Sequence, residues 1–301
     1  MLMSYLLRLV LGALCITFAP IAVKSISLDP TVVAFYRCFG AAIFLLMVSF
    51  FTLKKELFRA FDLLIHHRSY RLFVLAAGVF FALDLLVWHK SIHFIGAGFA
   101  TVLGNTQVFY IAIISALIHG LKLGKRFIFS LLVAFAGLCF MFYEMPTWVQ
   151  PENYVVGVIF GLLTGLCYAS YVQSLNQIQG IKNVVPVSIS LGIVLLVSSF
   201  FLLIYAWNFE NLVIPSRVSD WVWLLVLVFL AQVIGWVLIS QSIGKLPVHL
   251  VSLVLLLQPA LATLIGSYLF SENLVLMQVF GCALTLSGIY AGSQSLRRKY
   301  K

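Results

Sequence analysis

The sequence predicts an all-α membrane protein of ten transmembrane helices arranged as two inverted five-helix repeats. Of its 301 residues, 63% are hydrophobic and 9% are charged, whereas a soluble domain carries about 25% charged residues. Apolar stretches long enough to cross a ~30 Å hydrocarbon core recur along the whole chain. Landmark residues of the first half also reappear with the same spacing in the second half. Two similar halves made of membrane spans are typical of transporters.

The predicted spans are continuously apolar, which favours helices over the alternating pattern of an outer-membrane barrel. Met1 leads almost directly into the first span without a cleavage-site pattern, so we expect no cleavable signal peptide. The spans fall at residues 5–25, 31–52, 72–92, 97–118, 127–144, 154–176, 185–206, 221–243, 248–270 and 275–293.

The two halves share landmark residues, and the short connections between spans make neighbouring helices antiparallel. We therefore predict a first repeat over residues 1–146 and a second over 152–301, joined by a linker that Pro146 and Pro151 stiffen. Tyr5, Gly12 and Ser25 of the first half have the same spacing as Tyr154, Gly161 and Ser174 of the second.

The net charge of +10 is explained by where the basic residues lie, and we expect no nucleic-acid partner. The basic residues gather in connections on one side of the predicted membrane, whereas the other side holds only Lys24 and Lys90, near the ends of their spans, and Arg217 in a connection. By the positive-inside rule both termini face the cytoplasm. The second half then starts on the outer side, so the repeats have inverted topology, which suits alternating access.

The longest polar connection, residues 53–71, mixes basic residues such as Lys55 and Arg59 with aromatic residues such as Phe58 and Phe61. This pattern is typical of an amphipathic segment lying on the cytoplasmic membrane surface. A positively charged topology anchor with no other role is the second interpretation. Both interpretations fit the sequence.

Several classes of chemistry are disfavoured by what the predicted spans contain. All five cysteines lie inside spans, and no pair has the spacing of a metal site. We interpret them as small apolar packing residues and expect no metal and no cofactor. The spans also lack a nucleophile–histidine–carboxylate set or paired carboxylates, so a membrane-embedded enzyme is a weaker hypothesis than a carrier.

Several blocks of the second half resemble the EamA family of the drug/metabolite transporter superfamily. Leu246-Pro247 and Gln258-Pro259 lie where that family carries a penultimate helix with a central proline. Ser271-Glu272-Asn273-Leu274 partly matches the Gly-Glu-Arg-Leu-like tetrad that ends this helix. The first half departs from the pattern, because Gln107 replaces the proline and Gly120 replaces the glutamate.

The run from Phe80 to His89, together with Asn105-Thr106, resembles one branch of the same family. The resemblance covers nearly the whole chain and implies ten helices in an inverted-repeat arrangement. It also implies a solvent-filled cavity lined mainly by helices one, three, four, six, eight and nine. The solute is left open, because the family carries amino acids, vitamins, sugars, cations and other metabolites.

Two ionisable residues lie well inside predicted spans. Arg37 comes seven positions after Pro30 in the second span, and Asp84 comes seven positions before Ser91 in the third. At 1.5 Å per residue both lie about 10 Å below the outer surface. Charges inside a membrane face a partner or a water-filled cavity. One hypothesis is that Asp84 binds a cationic group of the substrate or a coupling proton, and the other is that Asp84 and Arg37 neutralise each other.

Four residues of the third and fourth spans are candidate substrate ligands in the first half. Trp88 and His89 end the third span near the outer interface, where an aromatic residue also serves as a membrane anchor. Asn105 and Gln107 lie deep in the fourth span. Amides inside a membrane need partners, so they either bind the substrate or form hydrogen bonds between helices.

Five residues of the second half complete the candidate set. Gln232 and Trp236 are four positions apart on the eighth span and therefore share a helix face. Tyr168 and Tyr171 lie on the sixth span, and Gln258 precedes the proline of the ninth. Trp236 and Tyr168 could stack on a flat ring or surround a cation.

These residues predict a secondary transporter that moves a small organic metabolite, an amino acid or related polar or aromatic solute, across the bacterial inner membrane. A vitamin uptake carrier for a riboflavin-like ring is the alternative within this class. A channel or a structural membrane protein is the alternative outside it. The expected partners are the metabolite, the lipid bilayer and a coupling proton. The glycine-bearing fifth and tenth spans offer a weak dimer face, so we expect a monomer or a weak homodimer.

Overall fold

The computed structural model describes residues 2–119, 124–141, 151–181, 185–210, 212–261, 265 and 276–297. The predicted linker at 145–150, the tetrad at 271–274 and Gly120 lie outside these ranges. The described residues form helices and turns, with a single isolated bridge between Ile243 and Leu246. The all-α prediction is confirmed for this part of the chain.

The helices follow one another with short connections. A π-helical segment, Val226–Gly235, joins α9 to α10. The α-helices are α1 (Leu2–Ser25), α2 (Pro30–Thr52), α3 (Lys54–His66), α4 (Arg68–Gly104), α5 (Gln107–His119), α6 (Lys125–Met141), α7 (Pro151–Gly180), α8 (Val187–Phe209), α9 (Val218–Leu225), α10 (Trp236–Ser242), α11 (Val248–Leu255) and α12 (Leu276–Arg297).

Six helical stretches of the described residues are long and apolar enough to cross a membrane. They correspond to six of the ten predicted spans. The fourth, fifth, ninth and tenth spans also contain helix but are not among these six stretches, so the ten-helix count stays a prediction. The six stretches are Met3–Val23, Pro30–Thr52, Arg68–Ser91, Tyr154–Gly180, Val187–Phe209 and Val218–Ser242.

Helix α4 combines the predicted third span with the start of the fourth, and it is sharply bent. Twelve residues of straight helix would separate Ser91 from Leu103 by about 18 Å. Yet a Cβ atom on Gly161 would lie 2.6 Å from Leu103 Cβ and 3.1 Å from Ser91 Oγ. The chain therefore doubles back between these two residues, where the sequence predicts a connection, although the backbone there stays helical.

Regular helix ends instead at Asn105 and Thr106, inside the predicted fourth span. The Thr106 hydroxyl donates to the Leu103 carbonyl, and the Thr106 amide donates to the same oxygen at 3.0 Å. A threonine hydroxyl that binds a nearby carbonyl competes with the helical hydrogen-bond pattern. The prediction of one continuous helix over 97–118 was therefore wrong at this point.

The chain divides into two compact units, each of which takes helices from both halves of the sequence. Unit 1 comprises Met1–Leu86 and Ser170–Leu246. Unit 2 comprises Val87–Ala169 and Pro247–Lys301. The repeat boundaries at 1–146 and 152–301 stay a prediction.

Unit 1 is held together by close contacts that small residues permit. The Ser198 hydroxyl of α8 donates to the Gly78 carbonyl of α4 at 2.9 Å. A Cβ atom on Gly192 would lie 3.1 Å from Leu46 of α2. Interfaces between membrane helices are rich in small residues because these let backbones approach. Helix α8 therefore packs tightly against both α2 and α4.

Unit 2 contains a glycine-spaced face on α7. Gly157, Gly161 and Gly165 recur every fourth residue and therefore lie on one side of the helix. The Ser91 hydroxyl donates to the Gly157 carbonyl at 2.9 Å, and the side chain of Thr106 contacts the Cβ position of Gly165. Because these three positions lack side chains, Ser91, Leu103 and Thr106 can all pack directly on α7.

The predicted dimer face is occupied within unit 2. Gly137 of α6 and Gly288 of α12 belong to the fifth and tenth predicted spans. A Cβ atom on Gly137 would lie 2.5 Å from the Thr285 amide nitrogen, and one on Gly288 would lie 2.6 Å from the Ala134 amide nitrogen. Helices α6 and α12 therefore pack against each other through these glycines.

Pro259 has the expected effect on the helix before it. A proline inside a helix clashes with the carbonyl four residues earlier, which here belongs to Leu255. Helix α11 ends at Leu255, and Leu256 forms a turn before helical residues resume up to Leu261. The family-like proline thus marks an interruption of this helix.

Candidate functional site

The centre of the candidate site in unit 1 is the guanidinium of Arg37 on α2. Arg37 is 7% exposed and Gln232 is fully buried. Arg37 Nε and Nη2 both donate to Gln232 Oε1, at 3.0 and 2.8 Å. A buried charge is costly unless it is paired and hydrogen-bonded, and an amide oxygen satisfies two of its donors without cancelling the charge. The site therefore keeps a positive charge.

Gln232 lies on the π-helical segment, and this segment packs closely against α1 and α2. A Cβ atom on Gly12 of α1 would lie 2.8 Å from the Gly235 carbonyl oxygen, and one on Gly40 of α2 would lie 3.0 Å from Val228 Cγ2. Segments of π-helix occur frequently at functional sites. Here the widened helix is held so that Gln232 reaches Arg37.

The amide nitrogen of Gln232 is a hydrogen-bond donor that finds no acceptor in the described part of the chain. Among the described residues, Gln232 Nε2 is buried and has no hydrogen-bond partner. An unmatched buried donor costs about 1–3 kcal/mol. Because Arg37 already occupies the amide oxygen, the free amide protons are available to an acceptor that is brought to this place.

Three aromatic rings pack beside Arg37 and form the aromatic cluster of the site: Phe81, Tyr171 and Trp236. The Phe81 and Tyr171 rings stack with centroids 4.5 Å apart, and Trp236 meets Tyr171 edge-on at 4.8 Å. Arg37 Cζ lies 5.9 Å from the Phe81 centroid, within the range of a cation–π interaction. The cluster supplies flat apolar surfaces next to a fixed cation.

Asp84 lies one turn beyond Phe81 on α4 and is 8% exposed. The charge of Arg37 acts electrostatically on its carboxyl group. However, the described residues form no ion pair or hydrogen bond with its carboxylate, and the described bonds of Arg37 go to Gln232. The hypothesis that Asp84 and Arg37 neutralise each other stays a prediction.

The remaining predicted ligands lie in unit 2. Trp88 and His89 are half-buried with ring centroids 5.2 Å apart, and Trp88 lies near Gly104 on the returning arm of α4. Asn105 sits in the break before α5. Gln107 starts α5, is 1% exposed, and its Oε1 has no hydrogen-bond partner in the described part of the chain. Tyr168 on α7 and Gln258 after α11 are half-buried.

The structure thus brings together Arg37, Asp84, Tyr171, Gln232 and Trp236 in unit 1, and places the other candidates in unit 2. Phe81 is a residue of the site that the sequence reasoning did not select. The signal was its position three residues before Asp84, which puts both on one face of α4.

A separate acidic cavity of about 430 Å³ lies in unit 1 and is lined by Asp29, Asn208, Phe209 and Glu210. The Thr31 hydroxyl donates to Glu210 Oε1 at 2.5 Å, and the Ser27 hydroxyl donates to Asp220 at 2.6 Å. The first bond joins the start of α2 to the end of α8, and the second joins the loop between α1 and α2 to α9. We interpret these carboxylates as structural residues that hold the start of α2 and this loop in place.

Comparison with known proteins shows the family to which the chain belongs. A model of the EamA-like transporter family matches residues 3–143 and again residues 155–293. The chain belongs to the EamA-like transporter family. The resemblance drawn from the sequence blocks is confirmed, and the family together with the long apolar helices indicates a multi-pass membrane protein.

Two further matches agree with this assignment. An uncharacterized transporter of Archaeoglobus fulgidus is 28% identical over 137 residues, which cover 44% of this chain and 46% of that protein. The match thus spans about half the length of the relative. A protein of known crystal structure matches with a TM-score of 0.79 at 16% identity and covers 99% of both chains. This second likeness shows a shared fold.

Proposed function

We propose that this EamA-like transporter carries a zwitterionic metabolite, an amino acid or a related aromatic solute, and that unit 1 holds its recognition site. The observation that carries the proposal is the buried Arg37–Gln232 pair with its unmatched amide donor. Together they offer charged and neutral donors to one anionic group, and a carboxylate fits such a fork. Asp84 offers a negative partner for an ammonium group.

The aromatic cluster supports an apolar or aromatic side chain on this solute. A ring that stacks or meets another ring edge-on adds about 0.5–1.5 kcal/mol beyond its buried area. The positive charge of Arg37 also argues against a cationic solute with no carboxylate, because like charges repel in a buried site.

The carrier is proposed to work by alternating access in the bacterial inner membrane, with both termini in the cytoplasm. The sequence supports this orientation through the one-sided distribution of basic loops. The two family-model matches of similar length support two repeats, and inverted repeats are a common basis of alternating access.

The direct test is the thermal stability of the detergent-purified protein with a panel of solutes. A ligand at 100 times its Kd stabilises the folded state by about 2.7 kcal/mol. We expect zwitterionic amino acids to raise the Tm, the corresponding amines without a carboxylate to have no effect, and Arg37→Met to abolish the shift. A shift by the amines equal to that by the amino acids would contradict the proposed role of Arg37.

A riboflavin-like vitamin is the second candidate solute, favoured by the stacked pair of Phe81 and Tyr171. A flat heteroaromatic ring without a zwitterion would use the aromatic cluster more than the guanidinium. The same panel separates the two solutes, since a flavin shift that survives Arg37→Met and is lost in Phe81→Leu would replace the amino-acid proposal.

Asp84 is proposed to take up the coupling proton. We expect Asp84→Asn to transport more slowly near neutral pH and to lose the pH dependence of wild-type uptake, since an amide cannot carry the proton. Uptake into proteoliposomes at several pH values measures this. Asp62→Asn, which changes an exposed carboxylate on α3, is the matched control. An unchanged pH dependence in Asp84→Asn would remove Asp84 from the coupling mechanism.

A further inference from the structure

Helix α3 has an exposed apolar stripe beside the face that packs on the neighbouring helices of unit 1. Leu57 and Ala60 are buried, and α3 packs on the neighbouring helices α2 and α8. Phe58, Phe61 and Ile65 are 58%, 47% and 66% exposed. Their spacing of three and four residues places them along one line of the helix. This line, the α3 stripe, has no cover among the described residues.

The ends of the α3 stripe carry positive charge. Residues 54–71 contain five basic side chains and two acidic ones. The acidic side chains already have partners on α3, since Glu56 pairs with Arg59 at 3.1 Å and Asp62 pairs with His66 at 2.9 Å. Lys54 and Lys55 form no ion pair with the described residues, and Lys54 lies on the same face as the α3 stripe, four residues before Phe58.

The position of α3 in the chain, directly between two stretches long enough to cross a membrane, places it at a membrane surface. It lies between the two membrane-crossing stretches Pro30–Thr52 and Arg68–Ser91. The backbone leaves the helical conformation at Leu53, where φ is −133° and ψ is 39°, so α3 does not simply extend α2. Arg71 of α4 donates to the Ile65 carbonyl at 2.8 Å and so caps the end of α3. The helix is therefore held in one orientation.

We propose that α3 is a binding site for anionic phospholipids of the surrounding bilayer. The α3 stripe inserts between the headgroups and the acyl chains, and Lys54 and Lys55 bind lipid phosphates. A topology anchor needs basic residues only, whereas this helix also presents two phenylalanines and an isoleucine outward from the protein. Amphipathic helices with this arrangement lie in the membrane interface, and their binding grows with both buried apolar area and anionic lipid content. The site does not depend on the transported solute.

The test is hydrogen exchange of the backbone amides of α3 in the full-length protein, reconstituted in nanodiscs of phosphatidylcholine alone or with phosphatidylglycerol. We expect exchange to be slower with phosphatidylglycerol, by about fivefold for each lysine that contributes. Lys54→Gln/Lys55→Gln should remove this difference. Phe61→Ser should speed the exchange in both kinds of nanodisc.

Lys125→Gln/Arg126→Gln removes an exposed basic pair at the start of α6 and is the matched control, which should leave the lipid dependence of α3 unchanged. Equal exchange in the two nanodiscs would overturn the proposal, and this comparison needs no variant. Protection by dissolved glycerol phosphate in phosphatidylcholine nanodiscs would assign the site to a free anion. Protection that appears only with two protein copies per nanodisc would assign the α3 stripe to a second copy of the chain.

Discussion

Gly137→Ala is expected to lower the free energy of unfolding by about 3 kcal/mol, the upper end of the range for overpacking. The added methyl group would lie 2.5 Å from the Thr285 amide nitrogen and 2.6 Å from the Gly281 carbonyl oxygen. Both are backbone atoms, so relief requires α6 and α12 to move apart. Thermal unfolding in detergent, followed by size-exclusion chromatography, measures the loss.

The chain offers a matched control for this substitution. A Cβ atom on Gly124, one residue before α6, would have no neighbour within 4 Å. Gly124→Ala should therefore change stability by less than about 1 kcal/mol, and the smaller entropy of the unfolded chain favours a gain. Thr285→Ala should not rescue Gly137→Ala, because the clash with the backbone remains. Equal stability of the two glycine variants would disprove the close contact of α6 and α12.

The helices were predictable because long apolar runs reveal the membrane spans. A span must satisfy its own backbone hydrogen bonds, and a helix does so. The reversal of α4 between Ser91 and Leu103 was also predictable, since two spans joined by a short connection form a hairpin. The π-helical character of Val226–Gly235 was not predictable. That segment is apolar except for Gln232, so it carries no periodicity that distinguishes one helix type from another.

The sequence predicted which charged residues belong to the site, but it did not predict that Arg37 forms its hydrogen bonds with Gln232. Arg37 and Asp84 stand out because ionisable residues inside membranes are rare and functional. Their similar depth suggested a direct pair, yet the hydrogen bonds of Arg37 go to Gln232, 195 residues away along the chain. Sequence spacing predicts contacts within one helix, whereas this contact depends on how α2 packs against the π-helical segment.

Gln232→Leu is expected to destabilise the protein more than the double substitution Arg37→Met/Gln232→Leu. The single change leaves a buried guanidinium without its acceptor, which costs about 1.5–3 kcal/mol for a hydrogen bond to a charged group. Replacing both partners with apolar side chains of similar size removes the unpaired charge, and such replacements are often neutral or stabilising. Uptake should nevertheless fail in the double variant, because no cation remains to bind the carboxylate of the solute.

This divergence between stability and uptake separates a binding role from a structural role. An exposed pair in unit 1 has the same chemistry, since Arg8 Nη1 donates to Gln241 Oε1 at 3.2 Å. Arg8→Met/Gln241→Leu should change stability by at most about 0.5 kcal/mol, as is usual for surface sites, and should leave uptake intact. If Arg37→Met/Gln232→Leu folded and transported at the wild-type rate, the guanidinium would serve only to hold α2 against the π-helical segment. If it folded and lost uptake while the exposed pair kept it, the buried cation would be what the solute recognises.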